Sequence, residues 1–255
     1  MLKRLLASFK TNFFPDEIAL LKRQTEQKNP LLMDTFGERE VNAKTWCISE
    51  MYAPGNSHDS KSIYKLYNAV ILNGLLVLKM RQVRTWDFLC VSTGAEIITK
   101  KSYGKGIYTW VVKTSSSEYR GTGDYISGSI TSFGLRSRNN TEVKFEIEGP
   151  DRYKYTRLIA TKSQYDSSNF KMVSHPQSTP APHEEFHTYK ILWSDKGISF
   201  YRNDTLLGST ADIGLDGDSQ IFINHWGSNS IIRGGNCTLD TPRYVLVKEV
   251  SFTPL

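Results

Sequence analysis

From residue 69 to the C-terminus the sequence keeps returning to a period of two. Segments such as "GIYTWVVKTS" (106–115), "VKFEIE" (143–148), "RYKYTRLIAT" (152–161), "TYKILWS" (188–194), "ISFYRN" (198–203), "QIFINHW" (220–226) and "YVLVKEVSFT" (244–253) are short and rich in β-branched and aromatic residues. Many are separated by Gly, Asn, Asp or Pro. Successive side chains on a strand point to opposite faces, so this period reads as strand. "AVILNGLLVLKM" (69–80) adds two apolar runs broken at Asn73-Gly74, a tight-hairpin signal. Many short strands with turn signals between them, and no obvious repeat, indicate an all-β sandwich or jelly roll. A length of 255 residues fits one large β domain or two smaller ones.

The first thirty residues read differently. In "PDEIALLKRQTEQK" (15–28), Pro15 suits a first helical turn, Asp16 and Glu17 suit its positive end, and basic residues follow. Pro30 then stops the helix. Residues 1–30 are expected to be an N-terminal helical extension packing a Leu-rich face on the β domain, which takes residues 31–255.

The formal net charge of +6 favours anionic partners. The basic residues are scattered and no nucleic-acid module signature is visible, so nucleic acid is not an expected partner. Cys47, Cys90 and Cys237 are odd in number and widely spaced, which reads as reduced structural thiols. "MLKRLLASFK" has too short an apolar run for a signal peptide, and no stretch is long enough to span a membrane. The compartment is therefore left open. Sequons stand at Asn139, Asn203 and Asn236 and matter only in a secreted eukaryotic chain.

Two segments read as long loops of the kind that border binding sites: the Ser/Gly-rich 114–128 and the polar, Pro-rich 163–185. His175, His183 and His187 cluster in sequence but not at a metal-site spacing, so they are not expected to form a metal site, and no cofactor is expected, with a structural calcium left open.

The stretch "NNTEVKFEIEGPD" (139–151) carries the chemistry. Glu142, Lys144, Glu146 and Glu148 alternate with Val143, Phe145 and Ile147. Taken alone, such a strand is a solvated face laced with cross-strand ion pairs. Its surroundings raise its weight. "TEVKFEIEG" resembles the active-site strand of glycoside hydrolase family 16, the laminarinase, lichenase and agarase group, whose pattern is Glu-x-Asp-x-Glu. Other segments resemble the family in the same order. They are "LLMDTFGEREVNAKTWCI" with Trp46, "VILNGLLVLKM", and "GAEIITKKSYGKGIYTWVVKT" with Lys101, Tyr103 and Gly104. After the motif come "EFHTYKILWSDKGISFYRNDTLL" with His187, Tyr189, Trp193 and Tyr201, then "IFINHWG" with Asn224 and Trp226, and "YVLVKEVSFT". The resemblance implies a concanavalin-like β-jelly-roll sandwich with a concave sheet as substrate cleft. It also implies a polysaccharide or oligosaccharide ligand, and its members are usually extracellular.

A retaining glycosidase needs two carboxyl groups about 5–5.5 Å apart, one nucleophile and one acid/base. The resemblance implies Glu142 as nucleophile and Glu146 as acid/base of an endo-acting hydrolase, with Tyr125, Phe133, Asn224 and Trp226 as sugar contacts. It gives Glu148 no role. Thr156 and Leu158 stand where sugar-contacting polar residues are expected on the next strand, and "SFG" (132–134) replaces the family's "AFW". The main departure is Lys144 in place of the middle Asp. A cation there favours ionised carboxylates, which suits a nucleophile and opposes an acid that must hold its proton. Two functions follow: a hydrolase of β-linked polysaccharide impaired by Lys144, or a non-catalytic carbohydrate-binding or scaffold protein on the same fold. Lys144 and the basic balance add an anionic sugar, sulfated or uronic, to the candidate ligands.

Overall fold

Among the residues described by a computed structural model of the chain, sixteen strands account for nearly all the regular structure. The structure describes residues 28–53, 60–85, 90–116, 128–148, 155–161, 171–176, 182–210, 215, 217–230, 234–238 and 241–255. In chain order these are β1 (Leu32–Asp34), β2 (Trp46–Ile48), β3 (Ser60–Tyr64), β4 (Ala69–Leu72), β5 (Leu75–Arg84), β6 (Cys90–Thr99), β7 (Gly106–Ser116) and β8 (Ser129–Ser137). They continue as β9 (Glu142–Glu148), β10 (Tyr155–Thr161), β11 (Lys171–Pro176), β12 (His187–Ser194), β13 (Gly197–Arg202), β14 (Thr205–Thr210), β15 (Ser219–Gly227) and β16 (Arg243–Pro254).

The hydrogen-bonded path runs β11-β10-β9-β8-β15-β6-β5-β16-β7-β12-β13-β14. It folds over where β5 meets β6, so the first six strands form one layer and the last six the other. All pairs are antiparallel except β3 beside β6. The layers are sealed by aromatic contacts across the gap. Phe133 (β8) and Phe145 (β9) pack edge-on against Tyr189 (β12) at centroid distances of 4.9 and 5.1 Å. Phe145 also meets Phe200 (β13) at 5.3 Å. Such edge-to-face pairs add stability beyond their buried area. The expected all-β jelly-roll sandwich is the fold observed.

The Asn73-Gly74 hairpin forms as the sequence indicates. Leu72 pairs with Leu75, and both turn residues take positive φ (53° and 71°), the conformation of a two-residue turn that matches strand twist. The helical extension expected over 1–30 falls almost wholly on residues outside those described.

Two expectations are corrected. The segment 163–185 is not only loop: β11 lies inside it and pairs along β10 from Tyr155↔Pro176 to Ala160↔Lys171. Polar content hid this edge strand, because pairing needs only backbone groups. The cysteines also differ from expectation. Cys90 and Cys237 form a disulfide with Cα atoms 6.7 Å apart, across 147 residues of sequence, while Cys47 is free and exposed. The fold brings together what wide spacing separates. Closing so long a loop stabilises by about 5 kcal/mol in the chain-entropy account. Disulfides persist in oxidising compartments, and the three sequon asparagines Asn139, Asn203 and Asn236 are all exposed.

Candidate active site

The site is built by parity. On β9, Val143, Phe145 and Ile147 enter the core, so Glu142, Lys144, Glu146 and Glu148 must share the opposite face. Register then fixes their neighbours. On β8, Arg136 lies opposite Glu142, Gly134 opposite Lys144, Ser132 opposite Glu146 and Ile130 opposite Glu148. One strand further, β15 places Gln220, Phe222, Asn224 and Trp226 beside Arg136, Gly134, Ser132 and Ile130. Beyond β15, Glu96 of β6 lies opposite Asn224. On the other flank, β10 sets Thr161, Ile159 and Arg157 opposite Glu142, Lys144 and Glu146.

The charged side chains on this face interlock. Arg136 Nε donates to Glu142 Oε1 at 2.8 Å, and its two terminal nitrogens donate to the two oxygens of Glu96 at 3.3 and 3.1 Å. The guanidinium lies over the Phe222 ring, 4.5 Å from its centroid. Lys144 Nζ donates to Glu142 Oε2 at 2.7 Å and stands 3.9 Å from Glu146 Oε2. Glu146 Oε2 also accepts from Ser132 Oγ at 3.5 Å. Glu96 accepts in addition from Ser49 Oγ at 2.8 Å and Asn224 Nδ2 at 3.0 Å. Glu148 Oε2 accepts from the Gly234 N–H at 2.9 Å.

Burial pulls the Glu142 carboxyl upward, but the Lys144 ammonium and the Arg136 guanidinium outweigh it and hold Glu142 below the usual carboxylate range. Burial works against the Arg136 cation as well, and the Glu96 and Glu142 carboxylates reverse that, so Arg136 titrates above its ordinary value.

Lys144 fits because the residue across from it has no side chain. A Cβ on Gly134 would lie 2.0 Å from the Val143 carbonyl oxygen and 2.6 Å from Lys144 Cα. The departure "SFG" and the departure Lys144 are therefore one local arrangement: the strand without a side chain runs under the long one.

The residues singled out in the sequence separate into groups. Glu142, Lys144 and Glu146 meet as expected. Asn224 joins them through Glu96, and its Oδ1 is buried without a hydrogen-bond partner among the described residues. Trp226 shares the face and, like the glutamates beside it, is nearly covered, its indole packed in a small cluster with Ala53, Tyr64 and Ile130. Phe133 is corrected outright. Its parity places it on the core face, fully buried against Tyr189 and on the opposite side of the sheet from the charged residues. Leu158 is likewise in the core, and Thr156 shares its parity, so Arg157 and Ile159 are the β10 positions on the charged face. Tyr125 lies outside the described residues. His187 is held through its Nδ1 by Asn203 Nδ2 at 2.9 Å, as a structural histidine would be.

Sequence reasoning missed Arg136 and Glu96. The signal was present: Arg136 stands two and four residues after Gly134 and Ser132, on the same parity, in a strand of otherwise small or apolar residues. Only the register to β9 shows that this parity faces the glutamates.

The two-layer antiparallel β sandwich is of the concanavalin-like jelly-roll class. The sequence profile described as Glycosyl hydrolases family 16 matches residues 56–216. The chain belongs to that family. Among curated proteins it is 27% identical over 114 residues to a probable xyloglucan endotransglucosylase/hydrolase protein 27 of Arabidopsis thaliana, which covers 43% of this chain and 32% of that protein. The chain thus spans about a third of that relative's length. Among solved structures, a Bacillus licheniformis β-glucanase superposes with a TM-score of 0.70 at 18% identity, covering 90% of this chain and 100% of that one. The laminarinase catalytic domain of Thermotoga maritima gives a TM-score of 0.72 at 16% identity, covering 89% and 98%. At these identities the two structures bear on the fold alone.

Proposed function

We propose that the protein acts on a β-linked polysaccharide by retaining endo-hydrolysis, with Glu142 as nucleophile and Glu146 as acid/base, and that Lys144 holds turnover low. The observation that carries this reading is the position of one ammonium against both carboxylates. Because Lys144 Nζ is 2.7 Å from Glu142 Oε2 and 3.9 Å from Glu146 Oε2, those oxygens lie within about 6.6 Å of each other, compatible with the roughly 5–5.5 Å of retaining pairs.

The two roles fare differently beside that cation. Glu142 is kept ionised, the state in which a nucleophile attacks the anomeric carbon. Glu146 must deliver a proton to the departing oxygen, and an ammonium nearby favours the charged form of any carboxylate it approaches. The face carries Glu96, Glu142, Glu146 and Glu148 against Arg136 and Lys144 among the described side chains, so its balance is negative and suits a neutral glycan better than a sulfated or uronic one. The unpartnered Asn224 Oδ1 is an acceptor that a sugar hydroxyl would satisfy.

Release of reducing ends from a panel of β-1,3-, mixed-linkage and xyloglucan substrates tests the reading. Wild type should act slowly, Glu142→Gln should be inactive, and Lys144→Asp should raise the rate about 100-fold, within the usual range for an acid–base contribution. A second reading is a non-catalytic glycan-binding protein. It is favoured by the occupation of both Glu142 oxygens by cations. Calorimetric binding of a panel glycan with no release by either wild type or Lys144→Asp would select it.

A further inference from the structure

We infer that Arg136 is the positioning residue of Glu142, holding its carboxylate in place whether or not Lys144 stays beside it. The inference rests on the proposed role of Glu142 as nucleophile. Its motive is the span of the Arg136 side chain. From β8 it covers Phe222 on β15 and reaches Glu96 on β6, while its Nε bonds back to Glu142 on β9. One rigid fork thus links three carboxylate oxygens on strands to either side of it. A guanidinium held at both ends by carboxylates and from below by a ring has little freedom to leave. Glu96 is itself pinned by Ser49 and Asn224, so the anchor does not move with the site.

Lys144 is a different kind of partner. It makes one short contact, to Glu142, and one long one, to Glu146, through a flexible stem. Its ammonium can shift between the two carboxylates or turn to a ligand without freeing Glu142, because Arg136 holds the other oxygen. Among the described side chains, the charged groups facing Glu142 are Lys144 and Glu146 on its own strand and Arg136 on β8, with Glu96 on β6 behind the guanidinium, and on β10 the register position opposite Glu146 is residue Arg157.

The test is titration of the Glu142 carboxyl carbon by NMR in the full chain. With Lys144 still in place, Arg136→Met should raise its midpoint by about 1–3 pH units, the usual effect of losing an adjacent cation. An unmoved midpoint in Arg136→Met overturns the inference. Hydrolysis gives a separate arm. The gain expected of Lys144→Asp should vanish in Arg136→Met/Lys144→Asp, and an undiminished gain in the double variant overturns the inference. If Lys144→Asp gains nothing while the Arg136→Met midpoint moves, the proposed hydrolysis fails and the Arg136 inference stands. Where Arg136→Met does not fold, the Arg136 Nε–H resonance of the wild type decides. It should shift with the Glu142 midpoint, and a resonance indifferent to that titration overturns the inference.

Discussion

The two faces of β9 share a backbone and differ in everything else. Val143, Phe145 and Ile147 pack into an apolar layer whose stability comes from buried area and ring contacts. Glu142, Lys144, Glu146 and Glu148, one residue out of phase, are buried almost as well, yet they hold together only through paired charges and hydrogen bonds. The contrast teaches what each face tolerates. The apolar face can be repacked by any side chain of similar shape. The charged face cannot lose one member without stranding another, because a buried charge deprived of its partner is costly. A fold seeking stability alone would not bury four glutamates on one sheet face.

The largest effect should come from the apolar side. Phe145 touches rings on three other strands, Phe133, Tyr189 and Phe200. Phe145→Ala should cost about 3–5 kcal/mol, the range for deleting a buried aromatic ring. Urea unfolding at neutral pH measures it. A loss under about 1 kcal/mol would mean that the two layers are not joined through this ring, since surface sites give values that small.

How much of this comparison is legible in the sequence follows from period and register. The period of two shows that Phe145 and Glu142 occupy different faces, and the Asn-Gly turn and the order of strand segments lead to the sandwich. Register is another matter. Nothing in "SITSFGLRS" says which parity faces the glutamates, so Phe133 reads as a contact and Arg136 goes unnoticed. One residue of offset exchanges them. Distance in sequence hides the rest. Glu96 and Glu142 come together through an arginine from a third strand, and Cys90 meets Cys237 across 147 residues, which no local pattern reports. Trp226 looks like a platform because aromatic faces suit sugars and cores alike, and only the packing of Tyr64 and Ala53 distinguishes the two.

The next effect sharpens the comparison through pH. The core face is not free of titratable groups: His225 shares the parity of Ile221 and Ile223 on β15 and is completely buried, with Nδ1 3.1 Å from the Leu78 carbonyl oxygen. Burial, with Arg243 adding to it, pushes its pKa down to about 3. The unfolded chain binds that proton near pH 6.5 and the folded chain does not, so stability is full above about 6.5 and falls as pH drops toward 3. Between pH 7 and pH 5 the loss should be about 2 kcal/mol. Urea titrations at the two pH values measure it, and His225→Asn should flatten the difference. An equal slope in the variant would place the proton uptake elsewhere.

The smallest change with pH belongs to the charged face. Glu142 is the opposite case in sign of charge but not in direction: its folded-state pKa lies below the ordinary value of 4.5, so its contribution is present above that value and is lost only as pH falls through the folded one. Wild type and Glu142→Gln should therefore differ by a constant amount from pH 7 down to about 4.5 and converge below it. Over the same range His225 is already destabilising both proteins equally, so the Glu142 term is visible only as a difference between the two curves. Convergence that begins well above pH 4.5 would mean that Lys144 and Arg136 do not hold Glu142 ionised.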